Sequence, residues 1–163
     1  MENESLEKFT PRAQTVLSLA EKEADEANHP MITPEYLLLG ILREGKCSAA
    51  KILKKFGLEY IALRPVVQSL VGIGPSNDKI SFPAVFSKKS QAMLALAERQ
   101  TEESGAKKID TENILYFIIT TEDGGVIEKS FKRLGLDIKV LFIILNKKMS
   151  SKIDKAQMDY VLS

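Results

Sequence analysis

Apolar residues recur at helical spacing through the first half of the chain and predict four helices. The first follows Thr10 and Pro11, a hydroxyl that can cap free backbone N–H groups and a proline that a first helical turn tolerates. Asn28 and Pro30 end it, because a proline disfavours helical geometry at the residue before it. Its apolar side consists of residues three or four positions apart: Ala13, Val16, Leu17, Ala20, Ala24 and Ala27.

The next two segments carry the same kind of signal. Thr33 and Pro34 repeat the cap-then-proline start before a strongly apolar segment, residues 36–42, which we expect to be the most buried helix. Ser48 is expected to cap a third helix. Gly57 should end that helix, since glycine adopts the left-handed conformation found after a helix terminus.

The fourth segment combines a helical pattern with a proline. Pro65 cannot lie deep inside a helix without the loss of a backbone hydrogen bond. We therefore predict that this helix begins at about Arg64, with Pro65 in its first turn. A linker dense in turn-forming residues follows and is predicted to extend over residues 73–85.

The second half of the chain repeats the first. FTPRAQTVLSLAEK from Phe9 returns as FSKKSQAMLALAER from Phe86, 77 residues later. ITPEYLL from Ile32 returns with the same offset as IDTENIL from Ile109, and one inserted residue later raises the offset to 78. The chain is therefore a tandem duplication. Its period is longer than the ~20–50 residues of a solenoid unit, so each copy should be a small multi-helix unit.

This duplication predicts an all-α fold of about eight helices, in two pseudo-symmetric four-helix repeats packed as one domain. The domain should span residues 6–149, with repeat one at 9–72 and repeat two at 86–149. Residues 150–163 are expected to be a connector or a loose tail. Residues 140–145 favour a strand by composition, but the match with the first copy favours a helix. The repeats should pack together, because a unit of this size buries only ~60% of its chain surface.

Composition excludes several classes of protein. With 163 residues and 44% hydrophobic content, the chain can form an ordered core. Its 23 basic and 22 acidic residues create no overall field that would attract nucleic acid or anionic lipid, so neither partner is expected. No apolar run approaches the ~18–20 residues of a membrane helix, and the first residues are acidic, unlike a secretory signal. We expect a cytoplasmic protein.

Catalysis and metal binding find little support. Cys47 is the sole cysteine and His29 the sole histidine, so neither a disulfide nor a typical zinc site is expected. The phosphate-binding Gly-x-x-x-x-Gly-Lys-Ser/Thr motif does not occur, so we expect no cofactor in this segment. The enzymatic alternative is a hydrolase that uses Glu35 or Glu112 as a base. It lacks a companion nucleophile or metal set, so we expect no enzyme activity.

Glu35 and Glu112 nevertheless occupy equivalent positions, at the starts of the second helix of each repeat. A carboxylate in a first turn is stabilised by the helix dipole by ~0.3–1 kcal/mol, and periodicity alone favours this structural role. The functional alternative is that each glutamate binds a guanidinium group through two parallel hydrogen bonds. Thr10 and Ser87, at the starts of the first helices, can add hydroxyls and free N–H groups suited to a phosphate. Such a set would suit a ligand that carries both charges.

Three repeated motifs resemble the N-terminal domain of Clp unfoldases, and that of ClpC in particular. They are FTPRAQ from Phe9, ITPEYLLLGILREG from Ile32 and AAKIL from Ala49, and with their copies the resemblance covers roughly residues 6–149. It implies a pseudo-twofold pair of four-helix repeats that receives protein substrates and adaptor proteins. It also implies a parent AAA+ ATPase that forms a hexameric ring.

The resemblance further implies that phosphoarginine is recognised by a glutamate and a hydroxyl in each repeat. Glu35 and Glu112 fall on the glutamate positions, and Thr10 and Ser87 on the hydroxyl positions. The chain is thus expected to be the substrate- and adaptor-binding module of a Clp-type unfoldase. The alternative is a free-standing regulator of the same domain type that binds adaptors without ATPase activity.

Both implied pockets depart from the family pattern. The family often has Gly-Thr-Glu-His where this chain has TPEY from Thr33 and DTEN from Asp110, so the rims of both pockets differ. The turn after the second apolar helix also differs, because TTED from Thr120 replaces a Leu-x-Arg-Glu-Gly-like sequence in repeat two. The resemblance implies adaptor contacts at this turn, so the second change affects the residues that would make them.

Overall fold

The computed structural model describes residues 6–72, 74 and 83–162, with side chains as far as residue 150. These residues form an all-α fold of eight helices, with two very short strands, which confirms the predicted fold class. In chain order the elements are α1 (Pro11–Glu26), β1 (Met31–Ile32), α2 (Pro34–Glu44), α3 (Ser48–Phe56), α4 (Tyr60–Val71), β2 (Val85–Phe86), α5 (Lys88–Glu103), α6 (Thr111–Thr120), α7 (Val126–Arg133) and α8 (Ile138–Leu162).

Several predicted helix termini are confirmed. The Thr10 hydroxyl accepts a hydrogen bond from the Ala13 N–H at 3.2 Å and so caps α1. The Ser87 hydroxyl caps α5 in the same way, through the Ser90 N–H at 3.1 Å. Gly57 ends α3 in the left-handed region at φ 103°. The same hydroxyl caps therefore start the first helix of each repeat.

Helix α4 begins earlier than predicted, at Tyr60 rather than at Arg64, so Pro65 lies inside the helix. A proline at this position deprives the carbonyl of Ile61 of its helical donor. Both Pro65 and Ile61 are exposed, and Ile61 retains 77% of its surface. Water can therefore replace the missing donor, and the proline is tolerated on this face.

Ser48 does not cap α3, contrary to the prediction. Cys47 occupies the N-cap position, and the Glu44 carboxylate accepts the N–H groups of Lys46 at 2.8 Å and Cys47 at 2.6 Å. The Ser48 hydroxyl instead contacts repeat two, where it donates to Asp110 Oδ2 at 3.5 Å. The free N–H of Ala49 in the first turn donates instead to the Thr111 hydroxyl at 3.3 Å, so a side chain of repeat two takes the capping role.

The structure describes the end of the chain and the predicted linker only in part. Helix α8 continues to Leu162, so residues 150–162 form part of a helix rather than a loose tail. Of the predicted linker, residues 73–85, positions 73 and 75–82 lie outside the described residues, and Val85 belongs to β2. The repeat boundaries themselves stay a prediction.

The two repeats are joined by backbone pairing that crosses between them. Strands β1 and β2 are parallel, with Ile32 opposite Phe86, and Phe9 forms an isolated parallel bridge with Ile109. Each pairing joins the residues before the first helix of one repeat to those before the second helix of the other. The buried residues form a single hydrophobic core that draws on both repeats. The halves are therefore one folding unit in the structure.

Helices α1 and α2 cross closely because Gly40 faces α1. A Cβ at this position would lie 2.6 Å from the Val16 carbonyl oxygen and 3.0 Å from the Ala20 nitrogen. Both are backbone atoms, which cannot rotate away as the end of a flexible side chain can. The equivalent residue in repeat two is Phe117, so its α5–α6 pair cannot approach in the same way.

A fragment of residues 1–74 should not show a cooperative thermal transition. It would lose the backbone partners of Ile32 and Thr10 in repeat two and its share of the common core. Circular dichroism during heating, with the full chain as the control, measures this. A stable monomeric fragment that melts cooperatively would show that repeat one does not need repeat two.

Replacing Gly40 by Ala should lower the free energy of unfolding by ~1–3 kcal/mol, since the added methyl group meets backbone atoms. The gain of ~1 kcal/mol in helix propensity offsets only part of this clash. Urea denaturation measures the change. Ser18→Ala, on an exposed position of α1, is the control and should alter stability by no more than about 0.5 kcal/mol. Equal stability of the two variants would contradict close helix contact at Gly40.

Candidate functional site

The four predicted site residues lie in two clusters, and each cluster draws on both repeats. We call Thr10, Asp110 and Glu112 the Thr10 site, and Ser87, Thr33 and Glu35 the Ser87 site. At the first, the Thr10 N–H donates to the carbonyl of Ile109 at 2.9 Å, next to Asp110. At the second, the Ser87 N–H donates to the carbonyl of Ile32 at 3.1 Å, next to Thr33. Each hydroxyl is thus held beside the start of the glutamate-bearing helix of the other repeat.

In the Ser87 site, hydroxyl groups surround the start of α5. The Ser87 hydroxyl donates to the Ser90 hydroxyl at 3.1 Å, and the Ser90 hydroxyl donates to the carbonyl of Ile32 at 2.8 Å. Thr33 is the N-cap residue of α2, but its side chain makes no capping hydrogen bond. Its buried Oγ1 has no hydrogen-bond partner among the described residues. Glu35 lies in the first turn of α2 and is partly exposed.

In the Thr10 site, a carboxylate occupies the corresponding place. The Thr10 hydroxyl donates to Asp110 Oδ1 at 3.2 Å, and the Ser48 hydroxyl donates to Oδ2 of the same side chain at 3.5 Å. Asp110 is the N-cap residue of α6, and its N–H donates to Asn113 Oδ1 at 3.0 Å. Glu112 follows in the first turn of α6 and is buried, with 8% of its surface exposed.

The charges around the two sites also differ. Lys88 and Lys89 lie in the first turn of α5, both are exposed, and neither forms an ion pair with any residue that the structure describes. Arg12, which stands in α1 where Lys89 stands in α5, pairs with Glu44 at 2.7 Å. Partial burial opposes ionisation of Glu44, but hydrogen bonds from Arg12 and from two backbone N–H groups lower its pKa overall. Lys107 and Lys108, which precede Ile109, are also exposed and form no ion pair among the described residues, so unpaired basic charge lies beside both sites; only at Ser87 does it follow the hydroxyl in the first turn of its helix.

A separate ionic cluster lies at the other end of α1. Glu23, 3% exposed, binds Arg43 at 3.2 Å and Arg64 at 3.3 Å, and accepts a hydrogen bond from the Tyr60 hydroxyl. Burial and then the hydrogen bond to Glu23 raise the pKa of Tyr60 to about 12. Glu23 is thus paired on all sides, and the cluster joins α1, α2 and α4 rather than offering groups to a ligand.

Repeat two replaces that ionic cluster with a neutral pair. Gln100 stands where Glu23 stands in repeat one, and its Oε1 accepts a hydrogen bond from the Asn113 amide at 3.0 Å. The two repeats therefore keep a polar contact between their first and second helices. Only repeat one uses charged groups for it.

The histidine and the cysteine occupy structural positions. His29 Nδ1 pairs with the Tyr36 hydroxyl, and burial followed by the charges of Glu35 and Glu23 raises the pKa of Tyr36 above its usual value. Cys47 is 1% exposed, and burial raises the pKa of its thiol. A buried thiol with a raised pKa is a poor nucleophile.

Neither a metal centre nor a membrane span emerges from the described part of the chain. Across these residues no three His, Cys, Asp or Glu side chains are grouped to hold a metal ion. None of the helices there has both the length and the apolar character that crossing a bilayer requires.

Sequence reasoning missed the pairing between repeats and the part played by Thr33 and Asp110. Both residues lie two positions before a candidate glutamate, in the segments where the chain departs from the family's Gly-Thr-Glu-His. That departure was the one signal in the sequence that the two sites differ from the family pattern. It did not reveal that Asp110 would reach the hydroxyl of Thr10, 100 residues away in sequence.

Comparison with curated proteins finds Clp proteins. The chain is 34% identical over 131 residues to ClpC/MecB of Bacillus subtilis, whose name describes a negative regulator of genetic competence. It is 32% identical over 131 residues to the chaperone protein ClpB of Oceanobacillus iheyensis. Each match covers 80% of this chain and 16% of the relative, so the chain spans about one sixth of the length of these proteins.

Solved structures with the same fold include N-terminal domains of Clp proteins. The N-terminal domain of the caseinolytic protease associated chaperone ClpD from Arabidopsis thaliana matches with a TM-score of 0.72 and 22% identity, over 92% of this chain and 99% of that one. A ClpV N-domain in complex with a VipB peptide matches with a TM-score of 0.64 and 19% identity, over 92% of each chain. At these identities the likeness shows the fold.

The family model of the Clp repeat (R) N-terminal domain matches residues 8–134, which is most of the chain. The duplication, the eight helices and the relatives agree with this match, and the resemblance seen in the motifs is confirmed. This chain belongs to the family of Clp repeat N-terminal domains.

Proposed function

We propose that this chain is the substrate- and adaptor-binding module of a Clp-type unfoldase, and that it recognises phosphoarginine on protein substrates. Its membership of the Clp repeat family supports the first part. A related fold, the ClpV N-domain, is known in complex with a peptide, which supports a role in binding protein segments. On this proposal the module serves a hexameric ATPase ring in the cytoplasm and has no catalytic activity of its own.

The observation that carries the phosphoarginine proposal is that each hydroxyl-capped helix start is hydrogen-bonded to the backbone three residues before a first-turn glutamate of the other repeat. Phosphoarginine has a phosphate attached to a guanidinium group. Free N–H groups at a helix N-terminus and a hydroxyl such as that of Ser87 suit the phosphate. A carboxylate such as that of Glu35 suits the guanidinium nitrogen atoms, which it can bind through two hydrogen bonds.

The pairing between repeats supports the proposal further. In each cluster the hydroxyl and the glutamate belong to different repeats, and backbone hydrogen bonds of 2.9 Å at Thr10 and 3.1 Å at Ser87 hold each hydroxyl-bearing residue against the segment that precedes the glutamate's helix. The groups are attached to helix termini rather than to free loops, so their positions are set by the core. Sites with this rigidity lose little conformational entropy when a ligand binds.

The double variant Glu35→Gln with Glu112→Gln should abolish binding of free phosphoarginine. A charged bidentate hydrogen bond contributes ~1.5–3 kcal/mol, so the loss of each carboxylate should weaken its own site about ten- to hundredfold. Isothermal titration calorimetry at millimolar ligand measures the affinity. Plain arginine and phosphoserine should bind poorly to every version, because each offers only one of the two charged groups.

Glu102→Gln is the matched control for this experiment. Glu102 is exposed near the end of α5, a helix of 16 residues that starts at the Ser87 site, and its carboxylate belongs to neither cluster. This variant should bind like the unmodified chain. Absence of heat with phosphoarginine in the unmodified chain, or unchanged binding by the double variant, would return both glutamates to a purely structural role at helix starts.

A further inference from the structure

We propose that the two sites are not equivalent: the Ser87 site accepts the phosphorylated ligand, whereas Asp110 acts as a built-in anion that closes the Thr10 site to phosphate. This inference rests on the proposed function and sharpens it. It follows from one pair of equivalent positions, Thr33 and Asp110, at which a neutral residue faces one site and an acidic residue the other.

Asp110 already takes the hydrogen-bond donors that a phosphate would need at the Thr10 site. A hydroxyl has one proton to donate, and that of Thr10 points to Asp110 Oδ1 at 3.2 Å. The Ser48 hydroxyl lies 3.5 Å from the other carboxylate oxygen. The carboxylate also lies where the first turns of α1, α3 and α6 meet, and helix N-termini favour negative charge. A phosphate would have to displace this side chain or bind beside a like charge.

At the Ser87 site no carboxylate stands at the position equivalent to Asp110. The residue that corresponds to Asp110 is Thr33, which is uncharged and makes no capping hydrogen bond at the start of α2. The Ser87 hydroxyl donates to another neutral hydroxyl, that of Ser90, at 3.1 Å. Exchange of that bond for one to a phosphate oxygen is favourable, because hydrogen bonds to ionised acceptors are stronger than neutral ones.

The buried hydroxyl of Thr33 is a second sign that this site is incomplete. Its Oγ1 is shielded from solvent and has no hydrogen-bond partner in the described part of the chain. A buried polar group without a partner is destabilising, and native proteins satisfy nearly all such groups. At the Thr10 site the equivalent position is fully engaged, since Asp110 binds two hydroxyl groups.

Unpaired basic residues directly follow the hydroxyl at one site only. Lys88 and Lys89 follow Ser87 directly, and neither is paired with a described acidic residue. Pro11 and Arg12 follow Thr10, and the one basic group there is bound to Glu44 at 2.7 Å. A phosphate at Ser87 therefore meets two unpaired positive charges in the first turn of α5. At the Thr10 site the exposed Lys107 and Lys108 are accompanied by the carboxylate of Asp110, which offsets their attraction for a phosphate.

Burial of the two glutamates points the same way. Glu35 is partly exposed and can meet a guanidinium group at the surface. Glu112 retains 8% of its surface, so a ligand would reach it only if the residues around it moved. The Ser87 site thus presents all of its charged groups to solvent, and the Thr10 site does not.

The test is a charge swap between the two equivalent positions, followed by titration with free phosphoarginine. The unmodified chain should bind one equivalent, with changes in the NMR signals of the Ser87 and Ser90 amides and none at those of Thr10 and Ala13. Asp110→Asn should add a second binding event seen at Thr10, because Asn caps a helix as Asp does but carries no charge. Thr33→Asp should weaken binding at Ser87 more than about tenfold, since it places a carboxylate beside the phosphate.

Single glutamate variants separate the sites independently of the swap. Glu35→Gln alone should remove phosphoarginine binding from the unmodified chain, whereas the control Glu102→Gln should leave its affinity unchanged. In the Asp110→Asn background, Glu112→Gln should remove only the second event. Melting temperatures of all variants, measured by circular dichroism, exclude loss of the fold as the cause of lost binding.

The outcomes distinguish this inference from the proposed function. Two equal binding events in the unmodified chain, or Asp110→Asn without effect at Thr10, would overturn the inference and leave phosphoarginine recognition standing. No binding by the unmodified chain or by Asp110→Asn at millimolar ligand would overturn both. Titration with inorganic phosphate completes the experiment. If phosphate binds as tightly as phosphoarginine, the glutamates do not contribute to binding and the proposed function is wrong, although an anion-binding site at Ser87 would still be supported.

Discussion

The arrangement of this domain depends on a short stretch of backbone pairing between its two repeats. Ile32 lies opposite Phe86, and Phe9 opposite Ile109, so the segment before the first helix of one repeat is bonded to the segment before the second helix of the other. Because each strand passes directly into a helix, the pairing fixes where two helix N-termini meet. The cost of ordering these segments is met by a core that both repeats share.

Both candidate sites follow from that pairing. A helix N-terminus exposes N–H groups without intrahelical partners, and two such termini side by side create a place that favours negative charge. At the Thr10 site the chain supplies the negative charge itself, through Asp110. At the Ser87 site it supplies hydroxyl groups and leaves two lysines unpaired among the described residues. The same backbone geometry therefore surrounds an acidic side chain at the Thr10 site and neutral hydroxyl groups at the Ser87 site.

Divergence between the repeats is concentrated where their helices touch. Gly40 allows α1 and α2 to approach until their backbones are in contact, and Phe117 replaces it in repeat two. A buried ionic cluster centred on Glu23 joins the helices of repeat one, and a single amide pair from Asn113 to Gln100 serves repeat two. A buried carboxylate requires several partners, whereas neutral amides require one or two, which is why repeat two can dispense with the arginines.

The sequence by itself determined the helices, the duplication and the family, because these depend on local periodicity, on caps such as Thr10 and Ser87, and on motifs that occur twice. Its errors were also local. Pro65 was predicted in the first turn of α4 but lies inside the helix. The free-energy cost of a proline there depends on whether water reaches the Ile61 carbonyl, and that exposure is a property of the folded chain. Only the tertiary structure decided which groups meet: Thr10 with Asp110, and Ser87 with the residues before Glu35. Contacts between residues 100 positions apart depend on how the two repeats interlock, and no periodicity within either repeat encodes that.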